Sequence, residues 1–159
     1  MIRLFSEIIN SWIGWFHFIT ALIAMLAGLV VVFNTKGTKF HKVIGYIYVI
    51  CMLSLNLSSF FLVNFGGFSI FHFFSIVSLI SILGAMVPAW RRINNWLIFH
   101  YYFMSWSAVG LYCAFWAELD TRFVGNMQQF WWMVALATFI TATIGSIIIN
   151  IQVKKLKLK

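Results

Sequence analysis

Fourteen charged residues in a chain of 159 leave four uninterrupted uncharged runs, Ile8–Thr35, Val43–Trp90, Ile93–Ala117 and Phe123–Val153. Runs of this length decide what the chain can fold into. A helix crosses the hydrocarbon layer with about 20 apolar residues, and only structures that satisfy every backbone N–H and C=O internally survive there. The second run holds 48 residues, enough for two crossings, and is broken at Asn64-Phe65-Gly66-Gly67-Phe68-Ser69, a strong turn signal. Five spans are expected, over 8–33, 42–63, 70–90, 96–117 and 127–151. With 63% hydrophobic and 9% charged residues, the chain lies outside the range of soluble domains. The expected fold is an all-α integral membrane bundle, a single domain over 1–159, with five transmembrane helices and a four-helix up-down-up-down core.

The basic residues predict the orientation. Lys36, Lys39 and Lys42 lie between spans one and two, Arg91 and Arg92 between three and four, and Lys154, Lys155, Lys157 and Lys159 after five. All fall on one side, which the positive-inside rule makes cytoplasmic. Glu7, Glu118 and Asp120, with Arg3 and Arg122, then lie outside. The expected location is the bacterial inner membrane, with the N-terminus outside and the C-terminus cytoplasmic. The net charge of +8 is read as this topological signal with attraction to anionic lipid, not as a nucleic-acid surface.

Trp12, Trp15, Trp116, Trp131 and Trp132 are placed as outer interface anchors, and Trp90, Trp96, Tyr101 and Tyr102 as inner ones. Trp106 is deeper and is assigned to packing. Cys51 and Cys113 fall in mid-span, where small buried hydrophobes are expected. The first run is long enough to anchor, and with only Arg3 before it is not read as a cleavable signal.

Four histidines, His17, His41, His72 and His100, occupy the first four spans one each. An ionisable ligand in a bilayer is a functional hypothesis in itself. At about 1.5 Å per residue, His17 and His72 belong to the outer third of the membrane, on spans one and three, and His41 and His100 to the inner third, on spans two and four. Ser69 and Thr38 are the expected N-caps of spans three and two. In an up-down bundle, helices one and three, and two and four, face each other diagonally. Two diagonal pairs at two depths suit two haem b groups, each iron held by two imidazoles. Gly14, Thr20, Ala21, Ala24 and Gly28 line up with His17 as a small-residue face that a macrocycle or a packed helix could occupy; Gly45 on span two and Ser75, Ser78 and Ser81 on span three are similarly placed.

The stretch Thr38-Lys39-Phe40-His41-Lys42-Val43-Ile44-Gly45-Tyr46-Ile47-Tyr48 resembles the box His-Arg-x-x-Gly-Arg-x-Tyr of a family of predicted bacterial multi-pass membrane proteins of unknown function. Trp90–Trp106, containing His100, resembles that family's second box, His-Arg-Arg-Trp-Met with the helix after it. The likeness covers about 14–118. Lys42 and Tyr46 replace the usual arginines, and Tyr101-Tyr102 follows His100 in place of a basic pair. The resemblance implies the multi-pass fold and singles out His41 and His100, without a reaction. The pairing of histidines is also similar in arrangement to diheme transmembrane cytochromes b, an analogy of sites alone.

The leading expectation is electron transfer by a b-type diheme cytochrome. A quinol or cytoplasmic reductant feeds an inner haem on His41 and His100, and an outer haem on His17 and His72 serves an external acceptor. Lys36, Lys39, Lys42, Arg91 and Arg92 would pair with haem propionates or an anionic partner. Two alternatives stand beside it. One is a non-catalytic membrane subunit or assembly factor, packed against a membrane protein partner or a second copy. The other is a zinc or iron enzyme on His17, His72 and Glu118 or Asp120.

Overall fold

The structure, a computed structural model, describes residues 11–62, 67–123 and 126–157. Of the acids and arginines assigned to the outer face, Glu7 and Arg3 lie outside these residues, as do residues 64–66 of the expected turn. The described residues form five α-helices and no strand: α1 Trp12–Phe33, α2 Lys39–Ser59, α3 Ile70–Arg91, α4 Trp96–Phe123 and α5 Met127–Lys157. α1, α2, α3 and the Met127–Lys154 part of α5 are long and apolar enough to cross a membrane. α4 is longer than a crossing requires, but His100, Tyr101, Tyr102, Ser105 and Ser107 make it less apolar. The protein is a multi-pass helical membrane protein.

The helix ends follow capping chemistry more closely than hydropathy. α2 starts at Lys39 where an apolar count gives 42, because the Thr38 hydroxyl accepts from His41 N–H at 3.1 Å. It ends at Ser59, short of 63, where the Ser58 and Ser59 hydroxyls donate to Leu55 and Asn56 carbonyls at 2.8 and 2.7 Å. α1 and α5 are capped by Ser11, accepting from Gly14 N–H at 3.0 Å, and by the Asn126 side chain, accepting from Gln129 N–H at 2.8 Å. α4 and α5 run beyond their expected ends at 117 and 151, since helical hydrogen bonding continues wherever it is not interrupted, whether or not the side chains suit hydrocarbon. At the end of α1 the Lys36 ammonium donates to Val31 and Val32 carbonyls at 2.7 and 2.5 Å. It supplies positive charge where the helix dipole is negative, and burial holds its pKa below the ordinary lysine value.

The contacts divide the chain into two compact units, Met1–Leu83 and Gly84–Lys159, with the boundary inside α3. In the first, α1 lies along α2. Ala24 and Gly28 of α1 are buried, and a Cβ added at Gly28 would stand 3.0 Å from Cε2 of Tyr48, itself 1% exposed. Lipid is as apolar as leucine, so helices in a bilayer gain by such close fit and by polar contacts. α2 meets α3 through polar contacts: the Asn56 amide donates to the Ser78 hydroxyl at 2.9 Å, and the Ser59 and Ser75 hydroxyls meet at 2.8 Å.

In the second unit, Phe103 of α4 closes on Gly84 at 3.2 Å, and Val109 of α4 fills the place a Cβ on Gly145 of α5 would need. The Tyr101 hydroxyl donates to the Ile149 carbonyl at 3.0 Å. Tyr101, Met104, Ser107, Ala108 and Leu111 form the buried stripe of α4. Trp106 falls opposite that stripe and is 44% exposed, not packed inside as its depth suggested. Cys51 and Cys113 are free and half-buried, with no disulfide.

Candidate cofactor site at the membrane histidines

His17 stands one turn into the capped start of α1, half-buried, with Nδ1 2.9 Å from the Ser58 hydroxyl of α2. That hydroxyl donates its proton to the Leu55 carbonyl at 2.8 Å. Its oxygen is therefore left to accept, so Nδ1 of His17 carries the ring proton and Nε2 keeps its lone pair. His100 on α4 reaches the Ala85 carbonyl with Nδ1 at 3.3 Å. A carbonyl only accepts, so this ring also has Nδ1–H and a basic Nε2. Donation through Nδ1 with Nε2 left bare is how ligating histidines are held on a metal.

His72 has the opposite arrangement. Its Nδ1 accepts from the Ser69 backbone N–H at 3.0 Å, with the Ser69 hydroxyl at 2.9 Å, so its proton sits on Nε2. Ser69 caps α3, its carbonyl accepting from His72 and Phe73 N–H at 3.1 and 3.3 Å. His72 is thus the return arm of a capping box, the place a Glu or Gln usually takes. It is 5% exposed, stacked on Phe68 with ring centroids 5.3 Å apart and tilted against Phe60 at 5.8 Å. His41 is in the first turn of α2, its backbone N–H on Thr38 and its side chain half-buried.

Of the two expected pairs, His17 and His72 share the first unit, while His41 belongs to the first and His100 to the second. Each pair includes one ring with a bare Nε2. The small-residue face of α1 is, at Ala24 and Gly28, the seam with α2 rather than an open wall. Ser75 and Ser78 below His72 are joined to α2, and Ser81 donates to the Val77 carbonyl of its own helix at 2.9 Å. Among the basic residues, Lys39, Lys42, Arg91 and Arg92 are exposed, whereas Lys36 is engaged at the end of α1. Among the described residues no three His, Cys, Asp or Glu side chains converge as a metal site requires. Glu118 is exposed on α4.

One feature of the candidate site escapes a reading of the sequence, and a second is only partly marked in it. Ser58 is 41 residues from His17, and nothing local marks it. The His72 cap has a local sign, since Ser69 precedes it by the three-residue spacing of a capping box. A family model described as predicted membrane protein (DUF2306) matches residues 14–157. No curated protein and no solved structure matches the chain.

Proposed function

The chain belongs to the DUF2306 family of predicted membrane proteins, and from that premise we propose that it carries electrons across the bilayer as a b-type cytochrome with two haems. One observation carries the reading: His17 and His100, one ring of each pair, are oriented through Nδ1–H with Nε2 left as a ligand. Bound haem supplies the one-electron carrier. Ser58 holds the His17 ring in one tautomer and orientation, and the Ala85 carbonyl does so for His100. His72 completes the outer pair within the first unit.

For His72 the fit carries a condition. A ring that ligates through Nε2 must carry its proton on Nδ1, where it can donate to the Ser69 hydroxyl but no longer accepts the Ser69 N–H. Cap and ligand are exclusive states of this one side chain.

The one-sided basic residues support a cytoplasmic C-terminus in a bacterial inner membrane. Exposed Lys39, Lys42, Arg91 and Arg92 suit propionates or an anionic reductant on that side; the donor is a quinol or cytoplasmic reductant and the acceptor lies outside. The test is the spectrum of the purified protein from haem-replete cells. Reduced-minus-oxidised bands of low-spin b haem, with pyridine assay giving two haems per chain, are expected. A colourless protein overturns the proposal in favour of a non-catalytic membrane subunit, the reading that the cap made by His72 favours.

A further inference from the structure

The turn between α3 and α4 combines backbone strain with charge, and the strain has no part in the histidine sites. Ile93 N–H donates to the Pro88 carbonyl at 3.2 Å, which closes α3 in a Schellman motif. The residue that must turn left-handed in this motif is Arg92, with φ of +50. Glycine, or failing that asparagine, takes this place at least cost, because a Cβ crowds the following carbonyl. The chain has Asn94 and Asn95 beside it, and Asn95 is left-handed too, at φ +60. An arginine retained in a strained conformation points to a use for the guanidinium.

Its position shows what the use is. Cζ of Arg92 lies 4.4 Å from the ring centroid of Trp96, so the indole holds the guanidinium in place. Face contact with an indole leaves the N–H donors along the guanidinium edge for a planar acceptor. Arg91 is exposed next to it. The sequence has no acid between Glu7 and Glu118, so no carboxylate within the turn or the helices α1 to α3 offers to neutralise the pair. Trp90 and Trp96 flank the turn and are the residue type that settles at headgroup depth. An acceptor with paired oxygens at that depth is a phosphodiester.

We propose that the Arg91–Trp96 turn docks the headgroup of an anionic phospholipid, with Arg92 as its principal ligand and Trp96 as the residue that positions it. The inference does not require haem and holds whichever leaflet contains the turn; it gives Arg91 and Arg92 a lipid phosphate as partner in place of a propionate or an anionic reductant.

The experiment places the full chain in nanodiscs of phosphatidylcholine, with and without phosphatidylglycerol, and measures retained lipid by native mass spectrometry alongside the melting temperature. Arg92→Gly removes the guanidinium while relieving the backbone; Lys154→Gln removes an exposed cation on α5. Arg92→Gly is expected to lower phosphatidylglycerol retention about fivefold, the effect of one basic residue at an anionic surface. Lys154→Gln should leave retention unchanged, and Arg92→Gly should melt no lower than wild type in phosphatidylcholine. Equal loss with Lys154→Gln, or retention with Arg92→Gly, overturns the site. So does a lower melting temperature of Arg92→Gly in phosphatidylcholine, which would make the arginine structural. Stabilisation of the phosphatidylcholine sample by inorganic phosphate to the same degree would show a soluble-anion site and refute lipid docking.

Discussion

Replacing His72 by glutamine and by alanine separates the two uses of one ring. Alanine removes the acceptor for the Ser69 N–H, and loss of a helix cap costs about 1 kcal/mol. It also removes the stack on Phe68 and the contact with Phe60, worth about 0.5–1.5 kcal/mol for an aromatic pair. With His72 at 5% exposure these losses are not recovered from solvent, and the alanine variant should be less stable by about 2–4 kcal/mol, the cap and two aromatic pairs together. Glutamine at the same place restores the return arm of the capping box but not the ring. It should therefore recover about 1 kcal/mol, roughly a fivefold change in the unfolding equilibrium. Neither variant can ligate iron. Denaturation in detergent and haem content by pyridine assay are measured on the same samples. If His72 is the outer ligand, both variants lose the same haem although glutamine is the more stable. A glutamine variant with its full haem complement would remove His72 from the outer site. Equal stability of the two variants would refute the capping argument.

Ser58→Ala removes the acceptor that orients His17 and should weaken retention of the outer haem about ten- to a hundredfold in a dissociation assay, with Ser58→Thr retaining it. Gly28→Ala forces a Cβ against Tyr48 at 3.0 Å and should destabilise by about 1–3 kcal/mol, while Gly45→Ala, with nothing within 4 Å, should be neutral or stabilising in the same denaturation measurement. Burial lowers the folded-state pKa of Lys36, so just below the ordinary lysine value the unfolded chain binds more protons than the folded one. Stability should accordingly gain an increment as pH rises through that window, and Lys36→Met should abolish it in melting curves recorded against pH. A reporter fused after Lys159 should read as cytoplasmic; an external reading would undo the depth pairing of the histidines.

The element pattern is legible in the sequence because each of its causes is local. Uncharged runs long enough to span, the Gly66-Gly67 break and the caps Thr38 and Ser69 place five helices close to where they are found. The exceptions are ends that hydropathy alone cannot place: α2 stops at Ser59 because its own hydroxyls turn back on the backbone. The candidate ligands His17, His41, His72 and His100 are equally visible, as polar groups where hydrocarbon makes polarity costly. What each imidazole does is not visible there, since a ring's tautomer depends on what stands next to each nitrogen. Ser58 reaches His17 from the next helix, and a carbonyl on α3 reaches His100 from the previous one. The stripe from Gly14 to Gly28 is the same kind of case. Small residues admit either a cofactor or a helix, and the seam with α2 is settled at Gly28 by the Tyr48 ring seated against it. Local sequence determines which groups enter the membrane; their partners come from distant parts of the chain, so only the tertiary structure decides which nitrogen is free and which face is filled.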